Sequence, residues 1–384
     1  MSIESTWIVG RSQAESSGGM VAAKTPEAAR AGAQVLRDGG NAIDAAVVTA
    51  LVAGVSEQWM NGVGGGGFLV RHDTAANETD VVAYPMVSPL SARPEMYPLT
   101  GTGNDSALFG WPIVADNANI VGHRAVCVPG AVDGLSRALE RWGTISWAAA
   151  LEPAIDCAES GFPVHWHTSL RIGADLENLT RFPATADVFC PGGVPPWSQQ
   201  GVPAKVIRQP DLALSLRRLA DSGPREFYEG ELARIIVDHL NEGGAHFTSE
   251  DFSHYEAAFE KPLTVNYHGQ TVTTIGNGTG GTTLAESLLL LDEMLDGTQE
   301  PGSAKLLDRL ARAFAAAFAD RFAYLADPDF AEVPLDALLS DSYVEERAAE
   351  LGESDPRSPR AGTKQRLGVA HQLQPSIPDY TSGG

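Results

Sequence analysis

Residues 39–70 read GGNAIDAAVVTALVAGVSEQWMNGVGGGGFLV, and the order of the parts in this stretch decides the fold. A glycine pair able to end a helix is followed by Asn41, a residue type that caps the next one. From Ala42 to Val55 the only charged residue is Asp44. That run falls short of the ~20 residues needed to span a bilayer, so it predicts a helix buried on nearly every side and packed against a sheet. Four glycines then lead into an apolar strand.

Working outward, SGGMVAAKTPEAARAGAQVLRDGG (17–40) predicts a short strand and a first helix. Pro26 suits the first helical turn, and Glu27, Arg30, Gln34 and Arg37 form a polar face. Residues 60–73 and 79–84 read as adjacent strands across a polar turn. Residues 85–122, rich in Pro, Gly and Asn, read as loop. Helical periodicity returns in two segments between Pro129 and Cys157. Residues 181–206 read as loop, 209–242 as helical, 263–275 as a β-hairpin, and 282–296 and 303–326 as two more helices. Residues 352–384 hold four prolines and few apolar residues and read as an irregular C-terminal segment, with a disordered terminus as one explanation.

Composition bounds the function classes. Twenty-seven basic residues against 49 acidic ones give the 384-residue chain a net charge of −22. That balance speaks against nucleic-acid binding, whose affinity comes from clustered Lys and Arg. With 43% hydrophobic and 20% charged residues the chain reads as globular. The three cysteines, Cys127, Cys157 and Cys190, form no C-x-x-C pair, and an odd count makes a poor disulfide framework. The opening MSIESTWIVGRSQAESS shows no basic start and no apolar run, which predicts a cytoplasmic protein, or a periplasmic or secreted one if the start is trimmed. No membrane partner is expected.

Two glycine runs fit a phosphate-cradling pattern. Gly62, Gly64 and Gly67 satisfy G-x-G-x-x-G, but they follow a helix and enter a strand, the reverse of the dinucleotide order. Gly276, Gly278 and Gly281 do sit between a strand and a helix, yet Thr282 stands where a P-loop needs Lys. Tight turns or close backbone approach to a ligand explain both runs better than a nucleotide. His165 and His167 would share one face of a strand, but no third metal ligand is suggested nearby. No G-x-S-x-G elbow occurs, and no cysteine sits in a nucleophile motif. The chain alone shows no complete catalytic constellation.

Four segments nonetheless resemble, in order, the large subunit of γ-glutamyltransferases: residues 39–70, VPGAVDGLSRALERWG (128–143), GNGTGGTTLAESLLLLDEM (276–294) and AFADRFAYLADPDFAEVPLDALLSDSYVEER (317–347). The resemblance implies an α+β fold, the four-layer αββα sandwich of N-terminal-nucleophile hydrolases, completed by a separate small subunit. Residues 1–384 would then be one domain shared with that subunit. It implies a precursor that cuts itself before a Thr, which becomes the nucleophile with its own α-amino group as general base. No catalytic residue is then expected in this chain. DYTSGG (379–384) sits where the family's precursor is cleaved, so Gly383 and Gly384 are the expected processing site. Gly64, Gly65, Gly66 and Gly67 are expected to brace the sheet near the site. No metal, nucleotide or organic cofactor is implied, and the substrate is a small-molecule amide or γ-glutamyl-type compound.

One departure changes the expected specificity. The family carries a motif like D-x-R-E-x-A-P, whose Arg grips the substrate's α-carboxylate by a charge-assisted fork. Here Pro85 stands at the Arg position and Met86 at the following Glu. Tyr84, Pro85 and Met86 are therefore expected to wall a less cationic, more apolar acyl pocket. Arg71 or Arg93 could supply the charge from elsewhere, which would restore a true γ-glutamyltransferase. A non-catalytic binding protein on the same fold is the other alternative.

Overall fold

A computed structural model describes residues 13–105, 111–197, 205–297, 299–353 and 360–367. Gly383 and Gly384 lie outside the described residues. The chain divides into two compact units.

The first unit comprises Met1–Gly67, Tyr84–Ala92 and Val121–Ala257. Helix Pro26–Arg37 starts with proline in its first turn, and Gly39 (φ +94°) turns the chain after it. Helix Ala42–Ser56 opens with a reciprocal cap. The Asn41 side chain accepts from the N–H groups of Ile43 and Asp44, while Asp44 accepts from the Asn41 N–H at 2.8 Å. Asp44 also accepts from the Thr144 N–H (2.7 Å), the Thr144 hydroxyl (2.6 Å) and the Ile145 N–H (3.3 Å). Burial opposes its charge, but these donors outweigh it and hold the carboxyl below its ordinary value.

The main neighbours of helix Ala42–Ser56 are helices Pro26–Arg37, Trp147–Ser160 and Ala131–Trp142, not the expected sheet. Gly32 permits the closest of these approaches, since a Cβ there would stand 2.0 Å from Thr49 Oγ1 and 2.9 Å from Ala45 O. Val47, Val48, Leu51, Val52 and Val55 are all buried, each such side chain contributing about 1.5–3 kcal/mol relative to exposure. The strand expected ahead of the first helix does not form, and residues 19–23 are irregular with Gly19 at φ +128°. Residues 181–206 are not all loop: Pro183–Phe189 is helical, because Pro183 at its first position presets the helical φ.

The second unit comprises Phe68–Ala83, Arg93–Ile120 and Ala258–Gly384. Strands Gly67–Asp73, Glu78–Tyr84 and Ala258–Glu260 form one sheet in that order. Ala258–Glu260 runs antiparallel to the middle strand, with Val82 opposite Phe259. Exposure alternates along Gly67–Asp73, leaving Phe68 and Val70 open on one face. Part of the expected loop is a hairpin, Leu99–Asp105 with Trp111–Val114. Gly101 and Gly103 at positive φ and a register shift hide its alternation from the sequence.

The hairpin Leu263–Tyr267 and Gln270–Thr274 forms as expected. Helices Gly280–Met294, Ala304–Tyr324 and Asp341–Glu353 pack around Leu290, Leu291, Ala313, Ala316, Val344 and Leu351. Within this unit Asp320 is fully buried and accepts from the Gly362 N–H (2.5 Å) and the Tyr343 hydroxyl (2.7 Å), with Arg347 Nε 3.4 Å away. Glu286 lies against it. Burial, then the charge of Asp320, pushes the Glu286 carboxyl well above the ordinary glutamate value. A turn of helix, Lys364–Leu367, falls inside the segment read as irregular.

Candidate functional site

The site is built where helix Ala42–Ser56 ends. Glu57 terminates it and accepts a 2.8 Å ion pair from Lys24, whose ammonium lies 5.5 Å from the Trp59 ring centre. The chain then turns through Met60 and Asn61, both donating to the Glu57 carbonyl. Gly54 lets the following loop close down, since a Cβ there would meet Gly62 Cα at 3.0 Å.

The glycine run is held at both ends of its turn. Gly65 donates to the Gly62 carbonyl at 3.0 Å, and its own carbonyl accepts from the Gly130 and Ala131 N–H groups at 2.8 and 3.0 Å. The run is thereby docked on the start of helix Ala131–Trp142. Gly66 lies against the 84–86 backbone: a Cβ there would stand 2.6 Å from Tyr84 O, 2.7 Å from Met86 N and 2.9 Å from Pro85 C. No side chain fits between the two segments.

Tyr84, Pro85 and Met86 take three different environments. The Tyr84 ring is buried, with a Cβ at Gly67 standing a tight 3.0 Å from it, and so close to Gly134 that a Cβ there would come within 2.2 Å. Burial pushes its phenol up, so it stays neutral. Pro85 is exposed, and its carbonyl accepts from the Tyr255 hydroxyl at 2.7 Å. Met86 is 52% exposed and borders a cavity.

Tyr255 is itself positioned by a buried polar chain. Its ring stacks on Tyr228 at 5.5 Å and 11°. Tyr228 donates to the Pro129 carbonyl at 3.0 Å, and the Arg225 guanidinium stands 4.9 Å over its ring. Arg225 in turn faces buried Asp133 at 3.5 Å, and Asp133 accepts from the Ala257 N–H at 2.7 Å. Burial raises both phenols, which keeps them in the donor form that these bonds need.

The cavity has a volume of about 680 Å³. Its walls are Ala50, Leu51, Gly54 and Val55 of the buried helix, residues 58–66, Met86, Ala131, Val132 and Leu135, with Phe189, Gln209, Leu212 and Leu216 opposite. None of these lining residues is charged. Gln209 donates to the Val55 carbonyl at 2.8 Å. Gln58 Oε1 and Trp59 Nε1 are buried without a hydrogen-bond partner. Size and composition are those of a small-molecule pocket, apolar with a few convergent polar groups.

The other candidates go elsewhere. Arg71 is engaged in a fork to Asp73 (2.5 Å) and Asp80 (2.9 Å), and Arg93 is exposed. His165 and His167 stand at the start of helix Trp166–Ala174 rather than in a strand. His165 Nε2 is 3.9 Å from Glu27, and His167 lies 3.5 Å from Lys24 and beside the Trp59 and Trp166 rings. Gly278 and Gly281 meet the chain's own backbone, at Ala326 O and Ile275 O, the tight-turn alternative to a phosphate cradle. Burial pushes the Cys157 thiol to about 11, with Glu27 adding to the rise, and raises Cys127 and Cys190, so none is poised as a thiolate. Gln58, Trp59, Phe189, Gln209 and Leu212 are not among the residues that the sequence predicts for the site. Gln58 and Trp59 were visible as a polar–aromatic pair between the apolar helix and the glycines, whereas nothing local joins Phe189 or Leu212 to them.

Helices packed around short antiparallel sheets, with an uncharged cavity beside a glycine-braced turn, define a mixed α/β chain with a pocket of small-molecule size. The chain belongs to the gamma-glutamyltranspeptidase family, whose model matches residues 28–376. It is 33% identical over 364 residues to a glutathione hydrolase proenzyme of Bacillus subtilis, covering 94% of this chain and 60% of that protein. It is 35% identical over 357 residues to an acylase proenzyme of a Pseudomonas species, covering 91% of this chain and 61% of that one. The chain thus spans about 60% of the length of these relatives. Its structure matches that of Helicobacter pylori gamma-glutamyltranspeptidase with a TM-score of 0.82 at 26% identity, over 94% of this chain and 99% of that one.

Proposed function

We propose that this chain is the large-subunit part of a self-processing amidohydrolase and acyltransferase, completed by a small subunit cut from the same precursor. Its family and the proenzyme names of both relatives support this reading. The fold proposed for the whole is the four-layer αββα sandwich. Phe68 and Val70, open on one face of a strand, are apolar positions that a second sheet would cover.

The chemistry runs through the small subunit's terminal Thr. Its α-amino group takes the hydroxyl proton as Oγ attacks the amide carbonyl. The new ester bond forms, the C–N bond breaks, and the leaving amine takes the proton. Water then releases the acyl group by hydrolysis, or an acceptor amine takes it by transfer. This chain's part is to shape the acyl pocket around residues 84–86, with position 85 braced by Tyr255 and by the glycine run.

The observation that carries the specificity is the pairing of Pro85 and Met86 at the family's Arg–Glu positions with a cavity that has no charged wall among the described residues. A carboxylate moved there loses its hydration without a countercharge, so acyl groups other than γ-glutamyl are favoured. Relocation of the clamp to Arg71 is disfavoured by its two aspartate partners. Intact-mass measurement on the expressed precursor, followed by incubation with acyl anilides, tests the reading. Two chains, the smaller beginning with Thr, and anilide turnover are expected; a single uncut chain without turnover overturns it.

A further inference from the structure

We propose that the cavity beside Met86 seats an uncharged, mainly apolar acyl group, aliphatic or arylalkyl. This rests on the amidohydrolase reading and names the substrate class that the reading leaves open.

Three observations converge on it. The cavity is continuous with the segment that recognises the acyl group in the proposed function, because Met86 belongs to both. Its volume of about 680 Å³ far exceeds what one packing defect leaves, and lies within the range of small-molecule sites. Its walls are Leu, Val, Ala, Met and Phe side chains and glycine backbone, relieved by Gln58, Trp59, Asn61 and Gln209. Asn61 and Gln209 are already bonded to the carbonyls of Ala50 and Val55. Gln58 Oε1 and Trp59 Nε1 are not bonded. Both atoms are buried, so neither offers an exposed polar contact to a bound acyl group.

The same composition argues against the charged alternatives. A glutaryl or γ-glutamyl group would bring a carboxylate among these residues with no cation to receive it. An alkyl chain gains about fourfold in affinity for each methylene it buries, so the cavity should discriminate by chain length.

The test uses the processed protein with its small subunit. Hydrolysis of butanoyl, hexanoyl, octanoyl, glutaryl and γ-glutamyl anilides is compared in the wild type, Leu212→Trp, which fills the cavity, and Leu212→Ala, which enlarges it. Binding of octanamide is measured by calorimetry on the same three proteins, independently of turnover. The inference expects kcat/KM to rise at least tenfold from butanoyl to octanoyl, and the charged anilides to be the poorest. Leu212→Trp should flatten the series and weaken octanamide binding at least tenfold, while Leu212→Ala should move the preference to longer chains. Anilide turnover with no dependence on chain length and no octanamide binding overturns the inference and leaves the amidohydrolase reading intact. Octanamide binding that Leu212→Trp removes, in a protein that turns over no anilide, sustains the cavity's ligand class and overturns the reading. Loss of the small subunit on Leu212→Trp would show that subunit filling the cavity, and would also overturn the inference.

Discussion

The Tyr255 hydroxyl donates to the carbonyl of Pro85 at 2.7 Å across 170 residues of sequence. A phenol stacked on Tyr228, and through Arg225 tied to buried Asp133, thereby holds the backbone at position 85, where the proposed acyl pocket is placed. Tyr255→Phe keeps the stack and removes only the bond. It should lower unfolding free energy by about 1 kcal/mol, read by denaturant unfolding, and raise KM more than it lowers kcat for any anilide turned over. A change of stability with an untouched KM would assign Tyr255 to structure alone.

The glycine run contains its own control. Gly66→Ala forces a methyl into backbone atoms at 2.6–2.9 Å and should cost about 1–3 kcal/mol or more. At Gly64 nothing lies within 4 Å of a Cβ, so Gly64→Ala should fall within about 0.5 kcal/mol of wild type. Thermal unfolding of the two variants checks the contrast, and equal losses would mean that the run is not locked to residues 84–86 as described.

Asp44 caps the start of one helix and ties it to the turn at Thr144 and Ile145. Asp44→Asn replaces one carboxylate oxygen by a donor that faces donors, and should cost about 2–3 kcal/mol at neutral pH. Because the folded carboxyl is held below its ordinary value, its contribution is present above that value and is lost as pH falls through the folded pKa. The gap between wild type and variant, followed by unfolding at decreasing pH, should therefore narrow in acid.

Glu286 has the opposite sign. Its carboxyl is raised by burial and by Asp320, so the folded state holds a proton that the unfolded state releases. The stability this provides is full below the ordinary glutamate value and is lost as pH rises toward the folded pKa, at up to about 1.4 kcal/mol per pH unit. Glu286→Gln keeps a neutral donor toward Asp320 and should flatten that slope above the ordinary glutamate value. Parallel pH profiles of wild type and variant would contradict a raised Glu286 carboxyl.

What the sequence disclosed was local. The Asn41 cap, the proline in the first helix's opening turn and the hairpin at 263–275 are each written within a few residues, and all form. The Leu99–Val114 hairpin was hidden because glycines and a shifted register erase the alternation that marks a strand. The helix Pro183–Phe189 was hidden among prolines and short polar residues. At the site, Pro85 and Met86 could be picked out against the family's motif, but the reason for Gly134 could not, since it is the ring of Tyr84 that fills the space beside it. The Glu286–Asp320–Arg347 cluster and the cavity wall at Phe189 and Leu212 come from distant segments, so no spacing in the sequence announces them.

Position 85 carries the proposed acyl specificity, and the direct measurement is kcat/KM for γ-glutamyl anilide against octanoyl anilide in the processed wild type and in Pro85→Arg. If position 85 lies in the acyl pocket as proposed, a guanidinium there adds a charge-assisted bond of about 1.5–3 kcal/mol to the substrate's carboxylate, so the ratio should shift toward the γ-glutamyl substrate by about 10- to 100-fold. A folded Pro85→Arg protein whose ratio equals that of the wild type would contradict the placement of acyl recognition at residues 84–86.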